Sequence, residues 1–183
     1  MPNVYDEQFF KKMSSKEVND WIKRNYKLLI GSAIFTKNNS LTSKVVSWAE
    51  SWGKKNKEQF IPSHTGSIVE KEGKLYVFHM KPIKAFIQPL DEYLLKTNDI
   101  YKVVLRTFQI DTFMFSQNIL FHDGEFYPFL SAIRSVFTKW KTKYRMHCSE
   151  LHARMIDLSG GKIFSHFNFE CTPQELLEYL LNI

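Results

Sequence analysis

The sequence predicts an α+β fold: an antiparallel sheet with helices packed on one side, one of them carrying a cysteine. Three observations predict it. Strand-like runs cluster in the middle of the chain, and helix-like runs gather late. The turn-forming pair Glu72-Gly73 joins two apolar-rich arms, "SHTGSIVEK" and "KLYVFHM", as a β-hairpin.

The elements follow in order. "SSKEVNDWIKRNYKLL" opens with Ser14 or Ser15 as N-cap and Glu17 as the reciprocal partner of a capping box. Val18, Trp21, Ile22 and Leu29 keep partly to helical spacing, and Gly31 ends the helix. "GSAIFTK" is a short buried strand, and "KNNS" a loop. In "SLTSKVVSWAESWGKK", Leu41, Val45, Trp48 and Trp52 share one helical face before Gly53. That stripe suits a core, or a membrane or nucleic-acid contact beside Lys54, Lys55 and Lys57. After the hairpin, "PLDEYLLKT" is a short helical turn, and "IYKVVLRTFQI" a strand. Two helices follow, near Phe129–Lys141 and over Cys148–Leu158. The last helix has Thr172 as N-cap, Pro173 in its first position and Glu175 in its third.

At 183 residues and 44% hydrophobic, the chain is large and apolar enough for one domain with a core, which excludes a disordered tail. The expected organisation is a single domain over 1–183, with residues 1–30 as an N-terminal helical extension. Two cysteines cannot build a disulfide framework, although they leave one bridge open. No apolar run spans a bilayer, and "MPNVYDEQFFKKM" lacks the apolar segment of a secretion signal. The expectation is a cytoplasmic or virion-associated protein. A formal net charge of +6 suits an anionic cell-wall or membrane surface, or a merely soluble basic exterior. No motif for specific nucleic-acid binding accompanies it.

Cys148 is the first candidate for chemistry. As the first residue of a helix it would sit where the amides and the helix dipole favour a thiolate, and "KWKTKYR" ahead of it adds positive charge. Leu151 and Met155 share its side of the helix, which places that side against the sheet. A half-buried structural cysteine fits the local sequence equally well. A thiolate needs a base, normally from another element. His64 in "PSHTG" starts a strand, with Gly66 leaving room beside it. If Glu72-Gly73 is a two-residue turn, His64 and His79 lie diagonally on one face, and His79 could orient His64. A three-residue loop would part them, and His79 would be an ordinary polar strand residue. His152, four residues beyond Cys148, has a surface or packing role. Zinc held by Cys148, His152 and His64 lacks any supporting ligand motif, so neither metal nor cofactor is expected.

Taken together, "GSAIF", "SLTSKVVSWAESW", "SHTGSIVE", "LYVFHM", "HCSEL" and the "TP" that opens the last helix resemble the circularly permuted NlpC-type, papain-like cysteine hydrolases. The resemblance is to the YiiX-like branch in particular, within a clan shared with lecithin:retinol acyltransferases and a poxvirus protein group. The likeness runs from Gly31 to about Leu180. It implies a permuted papain-like fold, Cys148 as nucleophile and His64 as base. His79 falls where that branch often carries a Glu or another polar residue. Tyr127 matches an aromatic of its "G-x-x-Y-D" segment, whose Asp is Pro128 here, and Ser63 beside His64 joins Tyr127 in the implied substrate pocket. The implied activity is cleavage of an amide through an acyl-enzyme, with cell-wall peptides as the expected substrate. The alternatives are a lipid acyl hydrolase or acyltransferase of the same clan, or a non-catalytic module such as a phage particle component.

Overall fold

The computed structural model describes residues 4–37, 60–80, 84–125, 148–161 and 171–183. Among these residues, six strands form one antiparallel sheet: β1 (Val4–Asp6), β2 (Ala33–Lys37), β3 (His64–Lys71), β4 (Lys74–Met80), β5 (Ala85–Pro89) and β6 (Ile100–Val104). Their spatial order is β1-β6-β2-β3-β4-β5. Six helices accompany them: α1 (Glu7–Lys11), α2 (Ser15–Leu29), α3 (Leu90–Lys96), α4 (Thr112–Leu120), α5 (Cys148–Leu158) and α6 (Pro173–Asn182). The α+β class is as expected, and the cysteine-bearing helix α5 packs on β3. The expected helices at 41–52 and 129–141 lie outside the described residues.

Local chemistry sets the element ends. Ser14 and Glu17 form the capping box of α2, and Thr172 and Glu175 form that of α6, with Pro173 in its first turn. The other end of α2 is held by Arg106, whose guanidinium donates to the carbonyls of Lys27 (2.8 Å), Ile30 (2.7 Å) and Phe108 (2.6 Å). Between β3 and β4, Glu72 (φ 52) and Gly73 (φ 74) make a two-residue turn that pairs Lys71 with Lys74. The outer edge of β5 is met by the turn after α4: Ala85 N donates to Glu125 O, and Gly124 N to Ala85 O.

Strand side chains alternate between faces, so the register sorts them. One face holds Tyr101, Thr36, His64, Gly66, Ile68 and His79. α1, α2 and α3 lie on it: the Phe10 ring sits 6.0 Å from Tyr101, Trp21 5.0 Å from Tyr5, and Tyr93 5.0 Å from His79. The other face holds Phe35, Thr65, Ser67 and Phe78. There His152 of α5 hydrogen-bonds Ser67 Oγ at 2.8 Å, and Phe115 of α4 meets the His152 ring edge-on.

Helices therefore cover both faces, correcting the one-sided expectation. The reason is visible in β2, where Ala33, Ile34 and Phe35 are consecutively buried; a strand apolar on both sides needs cover on both. The N-terminal region is likewise more than a helical extension. β1 pairs along β6, and Phe10 and Val18 are fully buried, so these residues complete the sheet and its core.

Candidate functional site

His64 is the first residue of β3 and pairs with Thr36 of β2. Half-buried Ser63 precedes it, tied to the end of β2 by its amide (2.8 Å) and hydroxyl (3.4 Å), both donating to Thr36 O. The two-residue turn fixes the β3–β4 register, with Ser67 opposite Phe78. His64 and His79 consequently stand diagonally on one face, with ring centroids 5.8 Å apart and planes inclined by 23°. A Cβ on Gly66 would meet Val77 Cγ1 at 2.8 Å and His79 Nδ1 at 3.4 Å, so glycine gives His79 its room. His79 is buried, with Phe86 of β5 at 5.3 Å and Tyr93 of α3 at 5.0 Å. Burial raises the Tyr93 phenol well above its ordinary range, with a further push from Asp99.

Cys148 opens α5 and is half-buried; Cys171 is buried just ahead of α6, and neither forms a disulfide. The α5 helix is buried nearly all round (Ser149, Glu150, Leu151, His152, Ala153, Met155 and Ile156), because the sheet, α4 and α6 each take a side. The Ser149 hydroxyl donates to the Cys171 carbonyl and ties the first turn of α5 to the start of α6. Glu150 and Arg154 form an ion pair at 3.0 Å. His152 is fully buried, and burial depresses its imidazole to about 3, so it is neutral near pH 7. Of the surface or packing role expected for it, the structure shows packing, deep against the sheet. Its Nε2 has no hydrogen-bond partner among the described residues.

The relation of the cysteine to the histidines follows from these contacts. α5 ends beside Ile110, which packs on both Gly161 and Gly31, and Gly31 N donates to Ile68 O. His152 of α5 lies over Ser67 in mid-strand. The same contacts assign faces. Ser67 and the buried Thr65 face α5, while His64 and His79 face α3. α5, which Cys148 opens, therefore lies on the face of Ser67, and His64 belongs to the opposite face with His79.

Of the expected site residues, the structure joins His64 to His79 and places Ser63 at the start of β3. Tyr127 lies outside the described residues, as do His147 and His166. Phe86 and Tyr93, which enclose His79, were not legible as site residues, since each reads as an ordinary apolar position. Among the described residues, no cluster of three or more His, Cys, Asp or Glu side chains could hold a metal ion. No family model matches the chain, and no curated protein or solved structure matches it.

Proposed function

We propose that the protein is a cysteine hydrolase of the permuted papain-like type, cleaving an amide through an acyl-enzyme on Cys148 with His64 as base. The observation that carries the reading is the position of Cys148 as first residue of an 11-residue helix lying on the strand that His64 opens. The first-turn amides of such a helix have no intrahelical acceptor, and the dipole adds to them, which favours a thiolate and then an oxyanion. In the proposed cycle His64 takes the thiol proton as sulfur adds to the carbonyl carbon, and delivers it to the leaving amine. Water, deprotonated by His64, then opens the thioester and restores the thiol. His79 orients His64.

The register adds a condition. Because β3 directs His64 away from α5, the imidazole has to reach the thiol around the first residue of the strand, not across a sheet face. A cell-wall peptide amide is the substrate class proposed, and the +6 charge suits an anionic wall or membrane. The test is turnover of wall-derived peptides by the wild type and by Cys148→Ala. Loss of hydrolysis in a folded variant supports the reading, and unchanged turnover contradicts it. Fatty-acid release from vesicles without peptide cleavage would favour a lipid acyl hydrolase of the same chemistry.

The face assignment of β3 favours a second reading, a non-catalytic binding module. It predicts that Cys148 alkylates no faster than an ordinary exposed thiol.

A further inference from the structure

A run of ring contacts leads from the start of β3 into the core. His64, His79, Tyr93, Tyr101 and Phe10 follow one another with centroid separations of 5.8, 5.0, 5.7 and 6.0 Å. Phe86 closes another side of His79 at 5.3 Å. The inner end is anchored, since the Tyr101 hydroxyl donates to the Leu94 carbonyl at 2.8 Å and ties α3 to β6. The outer end is His64, the first residue of its strand.

We propose that Tyr93 is a positioning residue, holding the His64 ring through the His79 ring by ring contact and not through its hydroxyl. This deepens the hydrolase reading and rests on it for the role of His64. Offset or tilted aromatic pairs at these separations attract beyond their buried area, and their planes restrict one another. Tyr93 is itself wedged between His79 and Tyr101 on a helix buried through Leu90, Tyr93 and Leu94, so it moves little. A base held in one orientation reacts faster than one that searches for it. The raised phenol pKa keeps Tyr93 neutral at any working pH, consistent with a ring that acts by shape.

The experiment compares Tyr93→Phe with Tyr93→Leu in the full chain. Two readouts are taken: the 13C–1H order parameter of the His64 ring, and the rate of Cys148 alkylation by iodoacetamide. In Tyr93→Phe both stay at wild-type values. In Tyr93→Leu the His64 ring loosens, and alkylation slows by about tenfold. A folded Tyr93→Leu with an unchanged His64 ring overturns the proposal, as does Tyr93→Phe behaving like Tyr93→Leu. If Tyr93→Leu does not fold, His79→Phe and His79→Gln decide: ring contact requires Phe to preserve the His64 order parameter and Gln to lose it, and the reverse overturns it. Alkylation that is indifferent to His64→Ala would overturn the hydrolase reading instead. The order parameter of His64 is measured independently of that result.

Discussion

His152 shows how one side chain couples the fold to pH. It is fully buried, bonded through Nδ1 to Ser67, and held neutral by burial down to about pH 3. In the unfolded chain an imidazole titrates near 6.5, so below that pH the unfolded state binds a proton that the folded state refuses. Stability from this residue is intact above about pH 6.5. It falls by up to ~1.4 kcal/mol per pH unit as pH drops toward 3. Urea unfolding between pH 4 and 7 should show that slope, and His152→Leu should flatten it. The two cysteines are separated by exposure: Cys148 is half-buried and Cys171 buried. Limited iodoacetamide treatment followed by peptide mapping should modify Cys148 and spare Cys171. Equal labelling would remove the distinction on which the nucleophile assignment depends.

Among the elements, the β3–β4 hairpin sets the register that joins His64 to His79, and its turn contains Glu72 in a left-handed conformation. A residue other than Gly, Asn or Asp is strained there. Glu72→Asn should raise unfolding stability by about 0.5–1 kcal/mol without altering the histidine pair. Arg106 makes the opposite case. A lysine cannot reproduce a fork shared among three carbonyls, so Arg106→Lys should cost about 1–2 kcal/mol in thermal or denaturant unfolding. Such elements were legible from sequence where they carry local chemistry. The Ser14/Glu17 and Thr172/Glu175 boxes named two helix starts, and Glu72-Gly73 named the hairpin. β1 and α1, of three and five residues, are too short to show a period. α4 escaped because Phe113 and Met114 are exposed while Phe115 and Ile119 are buried, which blurs any apolar stripe; only Asp111, capping Met114 N, marks its start.

For the molecule as a whole, the sheet lies between two helical layers, with α5 on one and α1, α2 and α3 on the other. The diagonal of His64 and His79 follows from strand period once the turn has two residues, the shorter of the two lengths the sequence left open. The face of β3 that receives α5 could not be read from sequence, because it depends on a hydrogen bond between Ser67 and His152, 85 positions apart. That contact places the Cys148 helix on one face of the sheet, and the register places His64 on the other. The central claim is that they nevertheless work as a pair. The pH dependence of Cys148 alkylation, in wild type and in His64→Ala, tests it most directly. A working pair makes the wild-type thiol reactive well below the ordinary cysteine range near 8.5, and His64→Ala returns the midpoint toward that range with at least about a tenfold loss of rate at pH 6.5. Superimposable profiles with midpoints near 8.5 in both proteins would contradict it.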